Sequence, residues 1–381
     1  MPVNGSEFDR RLLPLYLSGR EALGEAPWFD AHTHIGSNDP DGRSATAQEI
    51  IGGLDAAGHR RALVFAMHEP DGYGPANDHV IAEAAASGGR LVPLARIDPN
   101  IDGALEEARR GLEAGARGFK LHPRSDAFGL PHPVVEEVVA LAHEHRAPVL
   151  FHAGRGIPHL GEAVTDMAHR YPDARLILAH AGISDLGWIA PAAAELPNLL
   201  FDTSWWHVSD QLQLYATIPP GQILYASDMP YGPGLFAAFA FLRCGSAVGH
   251  PPEVLREIAG GQVARVVEGE DLLDLGPAPG ADVVGPRVIE AERVVSYAVT
   301  AVQIAFRGLD PLEPLSLARL ACRTSRDGEV ARLLRLTDRL LAMAQEEAAG
   351  VPQVPRVIMP ATFAAIQLAG TPHGGVPDVE L

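Results

Sequence analysis

The 381-residue sequence predicts an α/β protein: a (β/α)8 TIM-type barrel followed by a helical C-terminal extension. Three observations carry that prediction. Between residues 27 and 250, short β-type runs alternate with stretches of helical period, eight times over. None of these runs leads into a G-x-G-x-x-G or G-K-[ST] segment, so the open nucleotide-binding sheet loses its chemistry. A Gly/Pro-rich stretch then separates this region from a last section of helical composition.

The β-type runs are Trp28–His32, Ala62–Met67, Leu91–Ile97, Gly118–Leu121, Val149–His152, Leu176–His180, Leu199–Thr203 and Ile223–Ser227. Between them, Thr46–Ala57, Leu105–Ala114, Pro133–His145 and Leu160–Arg170 have helical composition and spacing. Strands that alternate with helices imply right-handed crossovers and a parallel sheet, and eight such units suit a closed barrel. Pro251-Pro252 opens a further helix, Glu253–Val267, expected to close over the barrel. Residues Gly276-Pro277-Ala278-Pro279-Gly280 through Gly285-Pro286 read as a linker. Beyond it, Val288–Phe306 and Glu329–Ala349 read as helices. The second repeats Leu333, Leu336, Leu340 and Met343 at helical spacing, with Gly350 at the cap position. The chain thus divides into an arm (1–26), a barrel (27–276) and an extension (277–381) of open role. The proline-rich tail after Gly350 is expected to lie on the surface or hang loose.

Composition excludes several classes. Forty-eight acidic against thirty basic residues give a net charge of −18, which argues against a phosphate-backbone binder. Cys244 and Cys322 have no metal-like spacing and fit a reducing compartment. Arg10-Arg11 precedes an apolar run of only Leu12–Leu17, interrupted by Pro14, too short for an export signal. No run approaches a membrane span. A cytoplasmic protein acting on a small molecule, without nucleic-acid or membrane partners, is the expectation. A homo-oligomer paired through the stripe of Glu329–Ala349 is a further one.

In a parallel barrel the chemistry sits at the C-terminal strand ends. The first strand ends in Asp30-Ala31-His32-Thr33-His34, the fourth in Lys120-Leu121-His122-Pro123, the fifth in His152, the sixth in His180 and the eighth in Ser227-Asp228-Met229-Pro230. Residues i and i+2 of a strand share a face, so His32 and His34 point together into the barrel mouth. Imidazoles with a carboxylate make a site for Zn²⁺ or a similar divalent ion. Arg96, Arg124 and Arg155 follow the third, fourth and fifth strands, where permanently charged forks suit a carboxylate substrate. Trp205, Trp206, His207 and Tyr231 read either as an apolar wall of the mouth or as rim packing.

This ordered set, His32-x-His34, Lys120, His152, His180 and Asp228, resembles the amidohydrolase superfamily, and its flanking residues resemble the amidohydrolase-related branch. That branch holds hydrolases and non-oxidative decarboxylases of the aminocarboxymuconate-semialdehyde type. The resemblance covers roughly residues 27–270 and implies that His32, His34, His152 and Asp228 bind a first metal. It also implies that His180 contacts substrate or binds a second ion. The chain departs from the pattern at Gly261-Gln262, where many relatives have Gly-Asn.

Lys120 is the single lysine among thirty basic residues. Arginine cannot be carboxylated, so two roles stay open: a carboxylated bridge between two metals, or an ammonium that stabilises an oxyanion beside one. One ion is the expectation. The expected activity is that of a metal-dependent hydrolase of a small, carboxylate-bearing substrate using a metal-activated water. Asp228 then moves the proton, His180 and Lys120 assist, and His122, Arg96, Arg124 and Arg155 hold the substrate. A metal-dependent decarboxylase is the alternative.

Overall fold

A computed structural model of the chain describes residues 7–154, 156–349 and 359–380, and all eight expected strands form within them. They are β1 (Phe29–Ile35), β2 (Arg61–Ala66), β3 (Leu91–Pro93, continued as Ala95–Arg96), β4 (Phe119–Leu121), β5 (Pro148–Phe151), β6 (Arg175–Leu178), β7 (Leu199–Asp202) and β8 (Ile223–Leu224). Each pairs in parallel with the next. At the break in β3, Leu94 donates its N–H to Val64 O at 2.9 Å and carries the ladder across. The last strand returns to the first: Ala31 N–H bonds Tyr225 O (2.9 Å), Asp228 N–H bonds His32 O (3.0 Å) and His34 N–H bonds Met229 O (2.8 Å). The barrel is closed.

Alternation along the strands sorts side chains into two layers. Leu63 and Phe65, Val92 and Leu94, Leu150, Ile177 and Ala179, Leu200, and Leu224 and Ala226 fill the interior. Their sequence neighbours Phe119, Leu121, Val149, Phe151, Leu176, Leu178, Leu199 and Phe201 pack outward beneath the helices. The helix Ala47–Ala57 starts at a Thr46 cap whose hydroxyl accepts from Glu49 N–H while Glu49 reaches back to Thr46 N–H. Pro133–His145 and Leu160–Arg170 match their expected bounds.

The segment after the barrel is three joined helical pieces, Pro252–Arg256, a π turn at Glu257–Gly261, and Gln262–Glu268. Its Val263, Val266 and Val267 plug the barrel end opposite the C-terminal strand ends, beside Phe29 and Leu224. A Cβ at Gly260 would lie 1.9 Å from Pro27 O, so only glycine lets this turn sit on the start of β1. Gln262 is fully buried and gives its amide to Gly221 O (2.6 Å) and Leu273 O (3.0 Å), while its oxygen accepts from Leu273 N–H (3.0 Å). The glutamine at this position is therefore a bolt holding the plug.

Among the described residues the extension forms four α-helices: Ile289–Phe306, Leu312–Ala321, Gly328–Ala349 and Pro360–Gly370. Leu333, Leu336, Leu340 and Met343, expected as a subunit contact, are covered by the chain's own helices. The tail also departs from expectation. Pro360–Gly370 is buried almost all round, as its sequence PATFAAIQLAG requires of a helix with no polar face. Gly350 and the prolines up to residue 358 lie outside the described residues. This central helix packs on Gly234–Val248 of the barrel and on the arm helix Glu7–Leu17. Both cysteines are free and buried. Among the described residues no helix is long and apolar enough to cross a membrane.

Arg243 fixes the end of the extension. Its buried guanidinium donates to Thr371 Oγ1 (3.0 Å), Thr371 O (2.7 Å), Gly374 O (2.7 Å) and Gly375 O (2.7 Å). Burial lowers its pKa to about 10, and it remains charged at neutral pH. Arg243→Ala removes the donor to three carbonyls and to the Thr371 hydroxyl. It is expected to lower stability by roughly 2–4 kcal/mol in urea unfolding, with the loss concentrated in the extension.

Candidate metal centre and its cavity

Alternation alone does not deliver the histidines to one point. In β1 the pairing with β2 shifts register between Asp30 and Thr33, so that Ala31 packs inside and His32 also turns inward against Phe65. A bulge of this kind re-aims side chains next to active sites. In β6, Ile177 and Ala179 face inward, which by strict alternation would send His180 out. Instead His180 (φ 56°) and Ala181 (φ 59°) adopt the left-handed region and swing the ring into the mouth. Asp228 has the same conformation (φ 64°) after β8. Such non-glycine residues cost on the order of 1–2 kcal/mol each and cluster where function fixes the backbone.

The result is a tight trio. His32 Nε2 lies 3.1 Å from His34 Nε2 and 3.3 Å from Asp228 Oδ1, and His34 Nε2 lies 3.1 Å from the same oxygen. Donor atoms around a divalent ion with bonds near 2.1 Å stand roughly 3.0–3.4 Å apart, depending on geometry. His32 Nδ1 sits 2.7 Å from Asp202 Oδ2 and therefore carries the proton, leaving Nε2 as a bare lone pair. Two imidazole nitrogens and a carboxylate oxygen converging in this way fit a cation between them. Burial holds His32, His34, His122 and His152 well below the usual imidazole pKa, so they are neutral and able to ligate.

Asp202 organises this shell, and the sequence reading passed over it. Fully buried at the inward end of β7, it accepts from His32 through one oxygen and from the N–H groups of His180 (2.9 Å) and Ser204 (2.9 Å) through the other. The signal was available: an apolar strand, Leu199-Leu200-Phe201, closed by a carboxylate on the inward register. Asp30, also buried, accepts from His32 N–H (3.1 Å) and Ser227 N–H (2.9 Å), and burial raises its pKa to about 7.

His152 stands beside the trio and outside it. His180 Nδ1 faces Ser204 O at 2.8 Å and must donate, so its Nε2 accepts from His152 Nδ1 at 3.0 Å. That leaves His152 Nε2 a buried lone pair without a partner. Its ring stacks on His122 (3.8 Å between centroids) and folds back onto Gly154, where a Cβ would come within 2.5 Å of that nitrogen. Lys120 is fully buried, with its Nζ 4.9 Å from the Phe65 ring centroid and no hydrogen bond. Desolvation, opposed by Asp202 and Asp228, lowers its pKa to about 7.

The arginines separate. Arg96 is buried and committed to Asp126 (2.9 Å), Ser125 Oγ and Ala66 O (3.2 Å). Ser125 in turn donates its N–H to His122 Nδ1 (3.1 Å), so Arg96 braces the loop that carries His122. Arg124 is exposed at the mouth and, among the described residues, makes no ion pair or hydrogen bond. Arg155 lies outside the described residues. Trio, His122, His152, His180 and Arg124 border one cavity of about 730 Å³, whose far wall includes Trp206, Phe306 and Phe363.

A closed parallel barrel with a His-His-carboxylate cluster at its mouth defines the class of metal-dependent barrel enzymes. The amidohydrolase family model matches residues 29–261, and the chain belongs to that family. The barrel is similar to 5-carboxyvanillate decarboxylase from Sphingomonas paucimobilis (16% identity, TM-score 0.50, 64% of this chain and 99% of that one). It is also similar to 2,6-dihydroxybenzoate decarboxylase complexed with 2,6-dihydroxybenzoate (13%, 0.50, 64% and 100%). A TIM-barrel protein from Bordetella bronchiseptica aligns at 16% identity and TM-score 0.51, over 69% of this chain and 92% of that one. No curated protein matches the chain by sequence.

Asp202→Asn preserves shape and removes the charge that fixes the His32 tautomer. Competition with a chelating dye is expected to show metal affinity reduced about 10–100-fold, with the fold retained by circular dichroism.

Proposed function

We propose that this chain is a decarboxylase of a small carboxylic acid, dependent on one divalent ion, with Zn²⁺ suited to the donor set. What carries the reading is one cavity that joins the His32–His34–Asp228 cluster to the unpaired guanidinium of Arg124. The decarboxylase activities of two solved structures with a similar barrel support it over hydrolysis.

His32, His34 and Asp228 would hold the ion, whose positive charge would stabilise electron density released in the reaction, while His152 stands beside them on the cavity wall. Arg124 and His122 orient the substrate at the mouth, the arginine by a two-pronged contact to a carboxylate. The bond from the carboxyl group to its carbon breaks, CO₂ leaves, and the electron pair stays on that carbon. Asp228, whose side chain opens to the cavity, relays a proton from solvent to that carbon. His180, locked between Ser204 and His152, borders the reacting group. Lys120 acts as an unmodified amine whose charge near Asp202 and Asp228 offsets theirs, and Arg96 keeps His122 in place. Hydrolysis is the second reading, favoured by the same Asp228 position, which also suits taking a proton from an attacking water.

The reaction class is tested by presenting a panel of hydroxybenzoates and dicarboxylates to the metal-loaded protein in D₂O. Decarboxylation is expected to release CO₂ and leave one deuterium on the vacated carbon. Solvent ¹⁸O appearing in the organic product, without CO₂, would assign hydrolysis. With an accepted acid, Arg124→Ala is expected to raise KM about tenfold or more and Arg124→Lys to restore part of it.

A further inference from the structure

We propose that the C-terminal extension completes the active site, with Phe306 and Phe363 joining Trp206 in an aromatic subsite for the hydrophobic portion of the substrate. The orientation of that substrate, carboxyl end towards Arg124, rests on the reading above; the subsite itself does not.

The observations run outward from the metal centre. His180 lies 6.2 Å from the Trp205 ring, and Trp205 lies 6.0 Å from Trp206. Trp206 meets Phe363 edge-on at 5.3 Å and Phe306 at 6.5 Å, and those two phenylalanines stand 6.4 Å apart. Both belong to the extension, Phe306 at the end of a helix whose Val294, Ala298, Ala301, Val302 and Ala305 are buried, and Phe363 on the helix Pro360–Gly370. The wall is held in place, because fully buried Gln367 donates its amide to Trp206 O at 2.8 Å. The extension thus fixes a barrel loop that borders the reacting groups.

Packing alone does not explain Phe306. It closes the helix Ile289–Phe306 with 42% of its surface exposed, and it lines the same cavity as the trio. An aromatic ring kept half in water at the edge of a concave site is one that a ligand can cover. The cavity volume is in the range that encloses a drug-sized ligand and exceeds what a carboxylate head beside Arg124 needs. Phe306 and Phe363 also lie beyond residues 29–261, the span matched by the family, whereas Trp206 lies within it. The subsite is therefore an addition that selects a substrate, while the barrel retains the chemistry. The ligand class is an aromatic or comparably bulky apolar acid, with the hydrophobic group distal to the carboxylate.

The test uses calorimetry on the full-length, Zn²⁺-loaded protein with three probes: benzoate, biphenyl-4-carboxylate and neutral biphenyl-4-methanol. Wild type is expected to bind biphenyl-4-carboxylate about tenfold tighter than benzoate. Phe306→Ala should weaken biphenyl-4-carboxylate about fivefold to tenfold and leave benzoate within about twofold. Phe363→Leu, which keeps most of the packing volume, should weaken the long probe alone. Equal weakening of both acids, no weakening of either, or no binding of either biphenyl compound by wild type would overturn the subsite. If biphenyl-4-methanol binds as tightly as the acid and Phe306→Ala weakens both, the subsite stands and the carboxylate reading fails. If Arg124→Ala weakens only the two acids and Phe306→Ala only the two biphenyls, both readings stand.

Discussion

The seam between β1 and β8 is the constraint on which the rest depends. Three main-chain hydrogen bonds close the barrel there, and the buried Asp30 carboxylate ties the two strands again by accepting from His32 and Ser227. The same bonds set His32 and His34 against Asp228, so closing the sheet and assembling the trio are one event. Residues almost two hundred positions apart become ligands of one point without a loop having to search for it. Loss of the seam would open the barrel edge and scatter the donors together.

Inside the seam, the barrel mouth solves an electrostatic problem by division of labour. Burial drives His32, His34, His122 and His152 neutral, so these histidines add donor atoms without adding charge. Charge is confined to a few positions: Asp202 held by two N–H groups, Lys120 among the carboxylates, and Arg96 matched to Asp126. An arginine in place of Lys120 would bring a larger, permanently charged, five-donor fork into a fully buried position where, among the described residues, even the lysine Nζ makes no hydrogen bond. Lysine can shed its proton when the site demands it.

How much of this could be read from the residues differs by element. Eight strands, the closing helix and the catalytic strand ends were legible because apolar period and strand-end chemistry are local signals. His32, His34 and Asp228 were legible as a group for the same reason. Asp202 had a local signal, a carboxylate closing an apolar strand on the inward register, but its role and that of Asp30 were not legible, since such an aspartate takes its meaning from the imidazole or amide it meets across the barrel. The register shift in β1 and the left-handed turn at His180 were also invisible, because alternation assumes a regular strand and here the function requires an irregular one. Arg96 and Arg124 look alike in sequence, yet Asp126, thirty residues on, consumes only the first. The buried helix Pro360–Gly370 was masked by the prolines around it. Its own all-apolar composition was the better guide.

The extension changes what a barrel of this family can recognise without touching what it does. The metal-ligand candidates sit on strand ends that closure holds in place, each pinned by partners on other strands. A cavity wall built from helices outside the barrel is free of that restraint. It is attached through Arg243 and Gln367, whose bonds run to backbone groups, so the phenylalanines facing the cavity can change while the attachment stays. Recognition and reaction then sit on separable parts of one chain, joined at Trp206, which belongs to the barrel by sequence and to the extension by its contacts.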